Sequence, residues 1–186
     1  MLWLWIALGV LAILVVLVVV GYNRLVRLRN EAGTGWANID VQLERRGDLI
    51  PNLVETVKGY AAHERGVFEE VTKARSALQR AGTPASAGEA NELLTAALGR
   101  LFAIAEAYPE LRASENFLRL QDELTDTEDK ISAARRYYNA TVMRFNTKIQ
   151  SIPGVLYAGP LGFRAREFFA AEDEAHAVPQ VQLTPQ

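Results

Sequence analysis

The chain has 186 residues, room for one modest domain, and its 20 Lys and Arg against 22 Asp and Glu leave a net charge of −2, which argues against a protein built to neutralise nucleic acid. It has no cysteine, which excludes disulfides, thiolate metal sites and cysteine nucleophiles. The only histidines are His63 and His176, too few for a histidine-rich metal centre.

Residues 1–22 carry no charged side chain, and Leu2 to Val20 form one apolar run. That run is long enough to cross a hydrocarbon core of roughly 30 Å. A cleaved signal peptide would bring a basic start, a shorter apolar stretch and a small-residue cleavage site. A buried core helix would keep a polar face. Residues 1–22 are therefore expected to be an uncleaved membrane anchor, with Trp3, Trp5 and Tyr22 as interfacial aromatics. Arg24, Arg27 and Arg29 follow at once. The positive-inside rule then places a short N-terminus outside and about 160 residues in the cytoplasm.

Residues 23–152 read as a helical domain. Trp36, Ile39, Leu43, Ile50, Leu53, Val57, Tyr60, Val67, Val71, Ala74 and Leu78 keep a three-four spacing, interrupted by Arg46 and Glu64. No stretch sustains period-two alternation, so no strand is expected. Pro51 is accommodated if Asp48 caps a restarting helix or if the helix bends there. A break is expected near Ala61–Glu64, before an acidic first turn. Ser86 with Glu89 three residues on reads as a capping box for a third helix, which Pro109 ends. A fourth, capped by Ser114, carries Phe117, Leu120, Leu124, Thr127, Ile131, Ala134, Tyr138, Thr141, Phe145, Ile149 and Ile152 on one stripe. At about 38 residues it is roughly 57 Å long. The expected fold is all-α: the transmembrane helix, then an up-and-down four-helix bundle with two long and two shorter helices.

Residues 153–170 are apolar but rich in Gly, Pro and Phe. They are expected to form a strap over the open end of the bundle, the alternative being an interfacial segment that dips Phe163 to Phe169 into lipid. Residues 171–186 read as a disordered tail.

Chemical motifs are weak. Asp173-Glu-Ala-His176 spells a helicase signature, but no Gly-Lys pair exists for a phosphate loop. There is no Glu-x-x-His pair for a di-metal bundle and no Gly-x-Ser-x-Gly elbow. Acids such as Glu69, Asp122, Asp126, Glu128 and Asp129 mostly fall on solvent faces. No cofactor, metal or catalytic residue is expected. More informative are polar residues beside apolar stripes: Asp40, Arg45, Arg46 and Asp48 on one helix, and Asn139 and Asn146, seven apart, on another. Buried polar groups need partners, so these are expected to form an inter-helix register network or a binding surface.

The same segments carry a resemblance. Tyr22-Asn-Arg-Leu-Val-Arg-Leu-Arg-Asn30, Trp36-Ala-Asn-Ile-Asp-Val-Gln-Leu-Glu-Arg-Arg46 and Asp48-Leu-Ile-Pro-Asn-Leu-Val-Glu-Thr-Val-Lys-Gly-Tyr60 resemble the LemA family. So do Tyr108-Pro-Glu-Leu111, Leu120-Gln-Asp-Glu-Leu124, Tyr137-Tyr-Asn139, Phe145-Asn146, Gly162-Phe163 and Phe168-Phe169, in order from the anchor to about Phe169, with the tail outside the resemblance. The resemblance implies a bacterial or archaeal single-span membrane protein with a four-helix bundle and an outside N-terminus. It implies no established reaction. Some members are associated with magnetosome membranes, others with envelope stress and membrane proteases.

The resulting expectation is a non-enzymatic, membrane-anchored cytoplasmic adaptor or scaffold that contacts the bilayer through residues 1–22 and a membrane-protein partner or its own copies, but not nucleic acid. Trp36, Asp40, Arg45, Arg46, Asp48, Pro51, Asn52, Tyr60, Tyr138, Asn139 and Asn146 are its candidate partner or register surface. The rivals are a self-assembling membrane-organising or envelope-stress protein, using the Phe163–Phe169 strap and the Trp36–Leu43 stripe for lipid and self contacts, and a metal-dependent enzyme.

Overall fold

The computed structural model describes residues 1–169. The expected tail and its Asp173–His176 motif lie outside the described residues. Among the described residues every regular element is helical: α1 Leu2–Lys58, α2 Arg65–Arg80, α3 Pro84–Ala105, α4 Pro109–Arg112, α5 Glu115–Gln150 and α6 Gly154–Tyr157.

The apolar run and the first domain helix are one element. α1 is 57 residues long, about 86 Å, and does not break at the charge boundary near residue 22. Residues 1–20 are exposed throughout, and α1 is long and apolar enough at its N-terminal end to cross a membrane. From Leu25 on, α1 buries a stripe that includes Ala32, Ile39, Leu43, Ile50, Leu53 and Val57.

Pro51 neither restarts nor ends this helix. A proline inside a helix frees the carbonyl four residues back, here Gly47 O. Arg75 of α2 donates Nε–H to that oxygen at 2.7 Å. The vacated acceptor thus becomes a tie between α1 and α2. Arg75→Leu is expected to cost about 1–3 kcal/mol, because it strands a half-buried carbonyl. The loss should shrink in a Pro51→Ala background, where the restored N–H satisfies Gly47. Additive losses in a double-mutant cycle of thermal unfolding would contradict this pairing.

α1 ends at Lys58, and α2 starts at Arg65 after a turn, so the break falls where it was expected. No acid occupies the first turn of α2. The capping box of α3 sits three residues earlier than Ser86–Glu89. Thr83 is the N-cap, its Oγ1 accepts from Ser86 N–H, and Ser86 Oγ accepts from Thr83 N–H. Pro84 at the first helical position, with φ already suited to a helix, favours this start. Pro109 likewise opens the short α4 instead of closing α3, which stops at Ala105.

α5 packs along α1, while α2 and α3 pair with each other and α2 leans on α1. Their apolar stripes merge into one core that includes Phe68, Val71, Leu94, Leu101, Leu124 and Ile131. A second cluster joins Leu25, Phe145, Tyr157, Ala158 and Phe163 where α6 meets α1. Two glycines permit that junction. A Cβ on Gly154 would collide with the backbone carbonyl of Lys148, and one on Gly21 would collide with the Tyr157 ring. Ile152, expected at the end of the buried stripe, is instead 83% exposed, because α5 stops at Gln150.

Candidate functional site

Three polar arrangements lie along the domain. The first is a groove of about 400 Å³ beside α1. Asp40, Glu44 and Asp48 line it, each one helical turn from the next, with Leu43, Leu78 and Ala87 also in its lining. Pro51, Asn52 and Tyr60 extend the exposed surface of α1 and its following turn. Among the described residues no group of His, Cys, Asp or Glu is placed to hold a metal ion.

The second is buried. Arg46 lies inside the core at 3% exposure. Its Nη1 donates to Asn91 Oδ1 of α3 at 2.5 Å and lies 2.6 Å from Glu128 Oε2 of α5. One cation thereby joins three helices. Burial pushes the guanidinium below the usual arginine range, and the Glu128 charge pulls it back up. Arg46 Nε and the nearby Gln42 Oε1 are buried without hydrogen bonds, so the cluster is only partly satisfied. Arg45, one residue earlier, faces out and forms a 3.7 Å ion pair with Asp126.

The third fixes the strap. After Gly162, whose φ of +77° suits a residue without a side chain, residues 163–169 run extended along α5. Asn139 Nδ2 donates to Phe169 O at 3.0 Å, and its Oδ1 accepts from Phe169 N–H at 2.9 Å. Asn146 does the same to Arg166, both bonds at 2.9 Å. The spacing follows from geometry. Seven helical residues rise about 10.5 Å, and three extended residues span about 10 Å, so both side chains find a backbone partner. Between them Tyr138 donates its hydroxyl to Glu167 O at 2.8 Å. Trp36 of α1 closes the site, tilted against the Tyr138 and Phe169 rings with centroids 6.2 and 6.4 Å away.

Burial raises the Tyr138 hydroxyl above the usual tyrosine range, with Arg166 opposing the shift and Glu167 adding to it. An unfolded chain therefore releases this proton at lower pH than the folded one. Stability present below the unfolded value near 10 should fall as pH rises through it toward the folded value. The phenolate also cannot donate to Glu167 O. Tyr138→Phe is expected to remove this component of alkaline sensitivity, which thermal melts between neutral pH and pH 11 would show as a flatter profile. An unchanged profile would contradict it.

The candidate residues thus separate. Asp40 and Asp48 meet at the groove; Pro51, Asn52 and Tyr60 are exposed; Arg45 pairs across the surface; Trp36, Arg46 and Tyr138 point inward. Asn139 and Asn146 hold the strap instead of another helix. Phe163 and Phe169 are buried against protein, as are Ile39 and Leu43, so these side chains are not free for lipid or self contacts. Sequence reasoning missed Asn91 and Glu128, the latter assigned to a solvent face. An arginine interrupting an apolar stripe is the available signal, since a buried cation demands polar or charged partners.

Taken together, these features define, among the described residues, an all-helical protein with one helix long and apolar enough to cross a membrane. The LemA family profile matches residues 35–183, and the chain belongs to the LemA family. That match begins beyond the apolar run and extends into the tail, further than the resemblance through Phe169. The chain is 28% identical to the magnetosome protein MamQ of Magnetospirillum gryphiswaldense over 189 residues, covering 86% of this chain and 70% of that one. It is also 28% identical to magnetosome protein MamQ 1 of Paramagnetospirillum magneticum over 191 residues, 89% of this chain and 69% of that one. Protein LemA of Metamycoplasma hominis is 30% identical over 128 residues, 68% of this chain and 58% of that one.

Proposed function

We propose that this protein is a single-pass, non-catalytic membrane adaptor whose helical domain lies in the cytoplasm and presents the α1 groove to a membrane-protein partner. Residues 1–22 anchor it with the N-terminus outside, a placement supported by Arg24, Arg27 and Arg29. The domain part of α1 with α2, α3 and α5 acts as an up-and-down four-helix bundle, supported by the α1–α5 and α2–α3 pairings.

The observation that carries this reading is the unbroken α1. One helix is both the apolar run and a core helix, so no flexible linker intervenes. Asp40 stands about 30 Å along the helix from Val20, and Asp48 about 42 Å. A partner surface on this face is held at fixed height and rotation above the bilayer.

The test is purification of the full chain from its host in mild detergent, with mass spectrometry and native mass. A stoichiometric membrane protein is expected. Asp40→Lys with Asp48→Lys should release it while helicity by circular dichroism stays unchanged. Retention of the partner by this variant would move the interface elsewhere. Recovery of the chain alone in a defined oligomer would overturn the adaptor reading. It would favour self-assembly that organises a membrane.

A further inference from the structure

The α5–α6 corner leaves four aliphatic side chains uncovered. Ile152 is 83% exposed, Leu156 73%, Val155 51% and Leu161 45%. They surround residues that are firmly buried: Gly154, Tyr157, Ala158 and Phe163. The corner is therefore a fixed element with an apolar outer side, not a frayed end. Its place along α1 is set by contact. The Tyr157 ring packs directly against Gly21, and Phe163 packs edge-on against Tyr22 at 5.6 Å.

Gly21 and Tyr22 belong to the uncharged stretch, before the first cation, Arg24. Gly21 is only about 4.5 Å along the helix from Arg24. The interfacial layer on each side of a bilayer is about 5–7 Å thick. If the preceding residues cross a membrane, α6 must meet it at headgroup depth.

The charges agree. Residues 21–31 and 144–169 carry seven Arg and Lys against Glu31 and Glu167, in a chain whose net charge is −2. Arg24, Arg27 and Arg144 line a groove of about 490 Å³ between α1 and α5. Arg29 instead stacks over the Phe163 ring, 5.5 Å from its centroid. Apolar side chains beside a cationic belt are the pattern of an interfacial membrane contact.

We infer that the α5–α6 corner is a second membrane contact, in which Ile152, Val155, Leu156 and Leu161 enter the interface of an anionic bilayer beside the anchor. This rests on the reading of residues 1–22 as a membrane span. Two attachment points, the helix and the corner, would oppose tilting of the domain about α1.

The native chain has no cysteine, so single thiols can be placed without background. Leu156→Cys, Leu8→Cys and Leu118→Cys would be labelled in the full-length protein with an environment-sensitive dye. The proteins would be placed in phosphatidylglycerol-containing nanodiscs, with and without brominated lipid. Leu8 lies within the apolar run, and Leu118 is an exposed leucine on the N-terminal part of α5. The dyes at Leu156 and Leu8 should both emit to the blue and lose intensity with brominated lipid, while the dye at Leu118 does neither. Adding Ile152→Glu and Val155→Glu to the Leu156→Cys protein should return its dye to an aqueous spectrum with helicity unchanged.

A lipid-quenched dye at Leu8 with an aqueous dye at Leu156 would overturn the second contact and leave the anchor standing. Aqueous dyes at both positions would overturn both. A blue-shifted Leu156 dye that ignores brominated lipid but is quenched by a co-reconstituted labelled copy would overturn lipid as the occupant and assign the corner to self-association.

Discussion

Replacing Arg46 with alanine is expected to destabilise the domain by about 2–4 kcal/mol, one of the largest single-site losses in the protein. Arg46 sits at 3% exposure between Asn91 and Glu128. Truncation leaves Glu128 without its buried counter-charge and Asn91 Oδ1 without its donor, and it opens a cavity at the crossing of three helices. Lysine should not rescue fully, because its ammonium is more strongly hydrated than a guanidinium and so costs more to bury at this position. The informative control removes the whole cluster. Arg46→Leu, Asn91→Leu and Glu128→Leu together should recover most of the lost stability, since the two partners that the single change orphans are removed with it. Urea unfolding in detergent, followed by circular dichroism, checks both. A triple variant as unstable as Arg46→Ala would show that the cation contributes through packing and not through its charge.

Asn139→Ala with Asn146→Ala should release the strap with far less effect on the helices. Each asparagine satisfies one N–H and one C=O of an extended segment that has no sheet partner. Losing either pair is expected to cost about 1–3 kcal/mol, and the two losses act on the same local opening. Amide exchange at Arg166 and Phe169 should accelerate by a factor of ten to several hundred, about 1.4–3.5 kcal/mol in opening free energy. Exchange in the middle of α5 should change little. Asn139→Asp isolates the donor, because it keeps the acceptor for Phe169 N–H but sets a carboxylate oxygen against Phe169 O. Uniform acceleration across strap and helices would contradict a locally clamped segment.

These two devices have different consequences. Arg46 fixes how α1, α3 and α5 stand relative to one another. The asparagine clamp fixes the strap, and through Phe163 it also bears on the junction with Tyr22, Phe145 and Tyr157. Loss of the first should disturb the α1 groove, and loss of the second should disturb the corner beside the apolar run.

Much of the fold was legible in the chain itself. An uncharged run and three-four apolar spacing are local properties, so the candidate membrane-spanning helix, the helical class and the turn after Lys58 follow without tertiary information. The ordered motifs carried the family as well. Some local features were ambiguous. Ser86 reads as a cap, but Pro84 fits the first helical position only if Thr83 is the cap. Pro51 signalled a break because its own chemistry frees a carbonyl, and only the distant Arg75 reveals why the helix continues.

The site depended still more on tertiary structure. The sequence flags Arg46, Asn139 and Asn146 as polar residues that need partners, but it cannot name the partners. Asn91 is 45 residues from Arg46, and Phe169 is 30 from Asn139. Likewise, Ile152 has the same side chain whether it ends a buried stripe or stands exposed. Where α5 stops and where α6 docks on Gly21 decide which. Periodicity and charge determined the elements, because they act within a few turns of one helix. Burial and pairing between elements decided the site, because they depend on which surfaces meet.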